Sequence, residues 1–140
     1  MKYNEALYDL VKIHVERFNE FQTASRLILL NETRNTLDAM AMYSKYCANE
    51  LISLLQSAGF SINEGNNQTG SVYNIWKQKK IYISNANDAT EYVDHAIYCS
   101  YDAALSLQDL DADMRSTIEN QKEKLKSFSG EMISDNKIRA

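Results

Sequence analysis

Apolar residues recur at helical spacing along almost the whole chain. From Tyr3 to about Leu30, Leu7, Val11, His14, Phe18, Phe21, Ser25 and Ile28 follow in alternating steps of four and three. A seven-residue repeat of this kind keeps one stripe turned toward a partner helix. A polar break at Asn31-Glu-Thr-Arg-Asn follows, with Thr33 or Asn35 placed to cap a second helix. That helix carries Leu37, Met40, Ala41, Ser44, Cys47, Ala48, Leu51, Leu54, Leu55 and Ala58, and Gly59 suits the left-handed position that ends it.

The middle of the chain is loop-like, because Gly59, Gly65 and Gly70 crowd into one span around Asn63-Glu-Gly-Asn-Asn-Gln-Thr-Gly. Val72, Ile75, Trp76 and Lys79 then predict a short helix starting near Ser71. Asp88 and Glu91 have the spacing of a reciprocal cap for a third helix, expected from about Ala89 to Leu110 with Val93, Ile97, Ala104 and Leu107 inward. Beyond a turn at Asp111-Ala-Asp, a fourth helix presents Met114, Ile118, Gln121, Leu125, Phe128 and Met132.

Composition agrees. With 140 residues, 44% hydrophobic and 24% charged, the chain has the size and balance of one globular domain spanning 1–140. It has no proline and only four glycines, which disfavours turn-rich β architectures. An all-α fold is the expectation. Short turns join helices one and two, and three and four, so each pair is expected to form an antiparallel hairpin, 3–58 and 89–134. The link over 59–88 is long for a bundle. At roughly 1.5 Å per residue, helices of this length run about 30–40 Å, a distance such a link can retrace. One long crossover between two hairpins is the ferritin-like four-helix arrangement; a plain up-down-up-down bundle is the alternative.

A net charge of −4, from 15 basic and 19 acidic residues, gives no basic face for nucleic acid. Lys77, Lys79 and Lys80 are read as a solvated helix face. No run reaches the ~18 apolar residues of a membrane span, and the N-terminus is too polar for a signal peptide. Cys47 and Cys99 are isolated, which fits a reducing cytoplasm, and both are read as small buried hydrophobes. A disulfide between them is geometrically possible if helices two and three are neighbours, but a reducing compartment disfavours it.

Chemistry-bearing residues are few. Di-metal ferritin-like bundles need Glu-x-x-His on two helices, so that carboxylate and imidazole share one face. This sequence has none. His14 lies inside the first stripe and reads as a core histidine bonded to a neighbour; His95 stands four residues after Glu91, as an exposed neighbour of a cap. Tyr43, Tyr46, Tyr98 and Tyr101 are read as packing residues whose hydroxyls find partners. Nucleophile elbow, phosphate loop and His-Glu-x-x-His are all lacking.

The run Gly70-Ser-Val-Tyr-Asn-Ile-Trp-Lys resembles the crossover helix of the DUF2383 ferritin-like proteins. Leu10-Val-Lys-Ile, Phe21-Gln-Thr-Ala, Asp102-Ala-Ala-Leu and Gln121 fall in register with the same family, from about Tyr3 to Ile133. The resemblance implies a ferritin-like bundle with inward acidic residues and a histidine as metal ligands. At the corresponding positions this chain carries Gln22, Tyr98, Tyr101 and Ser129, which are poor replacements for carboxylate and imidazole.

The expected function is therefore a non-enzymatic helical bundle with a degenerate metal site, acting through self-association as a homodimer or through a protein partner. No catalytic, cofactor or metal residue is assigned. The alternative is a metal-binding ferritin-like protein, storing iron or handling oxidants, with an atypical site built from Glu16, Glu50, Glu91 and His95.

Overall fold

A computed structural model describes residues 2–61 and 86–139, with side chains described over 2–61 and 91–128. Regular structure among the described residues is helical throughout: α1 (Tyr3–Arg26), α2 (Asn31–Ser57), α3 (Ala86–Leu105) and α4 (Ala112–Arg139). The short helix expected near Ser71, with Trp76, and the Lys77, Lys79, Lys80 cluster lie outside the described residues. So do the side chains of Asp88, Ser129 and Met132, and the surroundings of Gly130.

Each helix packs mainly on two others. α1 lies against α2 and α3, and α4 lies against the same two. This arrangement gives α1 two inward faces. Leu10 and Ile13 are consequently as buried as the predicted stripe residues Leu7 and Phe21. Burying each such side chain contributes about 1.5–3 kcal/mol, so the doubly covered helix anchors the core. Along α1, Tyr8 donates to the Ser61 carbonyl at 2.8 Å, while further on His14 meets Ser44 and Arg17 meets Met40. Against α3, His14 meets Tyr101 and Arg17 meets Asp94. The other two pairings are pinned by the Tyr43 and Phe128 rings, 5.6 Å apart between α2 and α4, and by Lys122 on Asp102 at 2.6 Å between α4 and α3.

The helix ends differ from the simplest reading of the breaks. α1 stops at Arg26, and α2 begins at Asn31. Neither Thr33 nor Asn35 caps α2; Leu30 occupies that place, and no side chain caps it. The turn is held instead by the Arg34 guanidinium, which donates to the Ile28 carbonyl at 2.8 and 3.2 Å. Thr33 is left buried inside the first turn. α3 starts at Ala86, so Asp88 and Glu91 lie within the helix rather than at its cap. α3 ends at Leu105 rather than Leu110, because Arg115 takes the Leu105 and Leu107 carbonyls, both at 2.8 Å. Asp111 caps α4, its carboxylate accepting from the Met114 amide at 2.8 Å.

Gly59 has φ +92° and is the left-handed stop that the sequence predicts. The Phe60 amide donates to Leu55 and the Gly59 amide to Gln56, both at 3.0 Å, which is the Schellman pattern. Phe60 then folds back on the core, its ring edge-on to Tyr3 and Tyr8. A Cβ at Gly59 would meet nothing within 4 Å, so only backbone conformation opposes substitution. Gly59→Ala is expected to cost about 1 kcal/mol, read as a lower urea midpoint with an unchanged slope.

Candidate functional site

The most unusual feature of the core is a charged residue. Arg17 is 0% exposed, three residues after His14 and four before Phe21, on the inward side of α1. Its Nε and Nη2 donate to Asp94 Oδ1 at 3.2 and 3.0 Å, and Nη1 donates to Ser44 Oγ at 2.7 Å and to the Met40 carbonyl at 3.2 Å. The guanidinium also lies over the Phe21 ring, 4.5 Å from its centre. Burying a guanidinium is costly unless it is paired and its donors are used, and here α2 and α3 supply the acceptors.

From Ser44 the polar contacts continue through the bundle. Ser44 Oγ lies 3.2 Å from His14 Nδ1, and His14 Nε2 lies 2.6 Å from the Tyr101 hydroxyl. Tyr101 donates to Gln121 Oε1 at 2.7 Å. Gln121 Nε2 donates to Glu50 Oε1 at 2.8 Å and reaches the Cys47 carbonyl at 3.4 Å. At the surface, Tyr46 donates to Glu50 Oε2 at 3.2 Å.

Donor counting fixes the direction of every hydrogen in this chain. Glu50 and the Cys47 carbonyl are acceptors, so Gln121 must turn its amide nitrogen to them and its oxygen to Tyr101. Tyr101 spends its single hydrogen on that oxygen. It must then accept from His14, which places the imidazole proton on Nε2. Nδ1 is left as an acceptor for Ser44, whose oxygen in turn accepts from Arg17. All donors point from the Arg17 cation toward the Glu50 anion, an alignment in which neighbouring bonds polarise one another.

Ionisation follows from this enclosure. Burial, and then the Arg17 charge, hold His14 well below its usual 6.5. Burial drives the Tyr101 hydroxyl well above its usual range, the neighbouring Cys47 and Tyr43 adding to the effect. The Cys47 thiol, also buried, is pushed up to about 11. At neutral pH the centre is therefore a neutral imidazole, a phenol and a thiol. Such groups can hold a register; none is poised to take or give a proton near neutrality.

Most sequence-selected residues lie elsewhere. Gln22 and Tyr98 are half-buried, and Tyr98 packs against the core. Glu16 is half-buried, while Glu91 and His95 are exposed. Among the described residues no three His, Cys, Asp or Glu side chains are grouped to hold a metal. The alternative set Glu16, Glu50, Glu91 and His95 is thus not assembled, because Glu50 is drawn to Gln121 whereas Glu91 and His95 face solvent. His14 is a core histidine, and Tyr101 packs with its hydroxyl paired. Tyr46, by contrast, is exposed. Both cysteines are free; Cys47 is buried, but Cys99 is exposed, contrary to the expectation for it. Among the described residues no helix is long and apolar enough to cross a membrane.

Three measurements test this centre. Nitrogen chemical shifts of the His14 ring should show a neutral Nε2–H tautomer at neutral pH. Unfolded, the imidazole takes its proton near 6.5, whereas the folded one stays neutral well below that. Its stabilising contribution is thus complete above the unfolded value and is lost as pH falls toward the folded one. Urea unfolding at about pH 5.5 rather than about pH 7.5 should show a loss of about 1.4 kcal/mol that His14→Gln removes. Separately, Asp94→Ala should cost about 3 kcal/mol by stranding a buried guanidinium, and Arg17→Met in the same chain should restore part of it. No known family model, curated protein or solved structure matches the chain.

Proposed function

We propose that this protein is a non-enzymatic ferritin-like bundle, with a degenerate metal site, that works by associating with a second copy of itself. The pairing of the helices supports the topology. Residues of α1 in ascending order meet residues of α2 and of α3 in descending order, as His14–Ser44 precedes Arg17–Met40 and His14–Tyr101 precedes Arg17–Asp94. The same inversion relates α4 to α2, through Gln121–Glu50 and Phe128–Tyr43. Two antiparallel hairpins with α2 and α3 running the same way satisfy these pairings. An up-down-up-down bundle would instead pair α2 with α3 and α4 with α1.

The hydrogen-bond chain supports a degenerate centre. A ferritin-like interior that holds metal is lined with carboxylates and imidazoles aimed at the ion. Here the one inward histidine is committed to Ser44 and Tyr101, and Glu50 accepts from Gln121 and Tyr46. This reading retains the DUF2383 resemblance as that of a divergent chain.

The observation that carries self-association is an asymmetry of the surface. Among the described residues the exposed large apolar side chains are Val15, Leu27, Leu29, Leu30, Met42 and Tyr46, all on α1, α2 or the turn between them. Leu29 is 91% exposed. An apolar concentration of this kind on one hairpin points to an interaction surface. A second copy is the simplest occupant, because the same face on both partners closes an isologous dimer. Light scattering on a size-exclusion column should give the mass of a dimer. The variant Leu29→Glu, Leu30→Glu, Met42→Glu should give a monomer of unchanged helicity. A wild-type monomer at the highest soluble concentration would overturn the proposal.

A further inference from the structure

We propose that His95 and Cys99 form a two-ligand surface site for a zinc-class divalent ion. The pair stands four residues apart on α3, outside the hydrogen-bond chain. Both residues are exposed, and the Cys99 thiol is free. His95 Nε2 and Cys99 Sγ lie 3.5 Å apart. A tetrahedral zinc with bonds of about 2.3 Å to sulfur and about 2.0–2.1 Å to nitrogen separates those two atoms by about 3.5 Å. The separation of the two donor atoms, now bridged by a thiol–imidazole hydrogen bond, therefore already matches the bite of the ion.

The donor types select the metal. Thiolate with imidazole suits zinc and its soft neighbours, whereas magnesium and calcium seek oxygen. Binding replaces the thiol proton with the metal, so one proton leaves to solvent for each ion bound. Among the described residues no third His, Cys, Asp or Glu completes the group, so two coordination positions stay open to water or to an outside ligand. An incompletely ligated ion on a surface is the arrangement of an exchangeable site rather than of a structural one.

Cobalt(II) serves as the probe, added to the reduced, tag-free full chain. A thiolate-to-cobalt charge-transfer band in the near ultraviolet should appear, saturate at one ion per chain, and bleach when zinc is added. Cys99→Ser and His95→Ala should each weaken binding at least tenfold, and both positions are exposed, so circular dichroism should remain that of the parent. Cys47→Ser should keep the band. Absence of the band in the parent chain, or its survival in Cys99→Ser, would overturn the assignment.

Discussion

The interior of this bundle is organised around one desolvated cation. A guanidinium with no solvent contact is tolerable only if its charge is matched and its donors are spent, and Arg17 meets both conditions with groups from two neighbouring helices. Asp94 supplies the charge from α3, while Ser44 and the Met40 carbonyl supply acceptors from α2. Sliding α1 by one turn against either neighbour, about 5.4 Å, would strand the charge. Hydrophobic stripes tolerate such slips far better, because leucine against leucine is nearly as good one turn along. A buried ion pair can therefore set register even where its net contribution to stability is small.

The rest of the polar core follows from the same residue. Ser44 accepts from Arg17, which frees its own hydrogen for His14 and thereby orients the imidazole. The imidazole proton then orients Tyr101, and Tyr101 orients Gln121, whose amide ends on Glu50. Four helices are joined by a single run of bonds whose members have no independent freedom to flip. Rotation of any one side chain would set two donors or two acceptors face to face, in a medium where an unmade bond costs about 1–3 kcal/mol. The consequence is a specified core rather than a merely compact one.

Much of this was legible in the sequence and some of it was not, for identifiable reasons. Periodicity located the four helices because each buries a continuous stripe, and Gly59 was readable because only a left-handed stop calls for glycine there. Helix boundaries moved where an arginine just across the turn captured end carbonyls, as Arg34 does at Ile28 and Arg115 at Leu105. Such captures depend on a side chain folding back over its turn, which hydrophobic periodicity does not register. Arg17 escaped because charged residues ordinarily mark the solvent side; its signal was positional, three residues from His14 and four from Phe21 on an inward face. Ser44 and Gln121 were visible as stripe residues, but their role required knowing that Arg17 and Glu50 stood at the two ends. Cys99 looked equivalent to Cys47 by composition, and only its place on α3 separates them.

The neutral side chains inside this bundle have a charge-balance logic. Inward carboxylates clustered in a bundle repel one another and need a cation or protons among them. In this core the inner positions between Arg17 and Glu50 are serine, imidazole, phenol and amide, all neutral near pH 7, and the formal charges sit at the ends. Asp94 is 26% exposed and Glu50 half-buried, so the anions keep part of their hydration while the cation keeps none. Within this network the fully desolvated charge is thus the one with the most partners. A centre balanced in this way matches its charges with its own side chains.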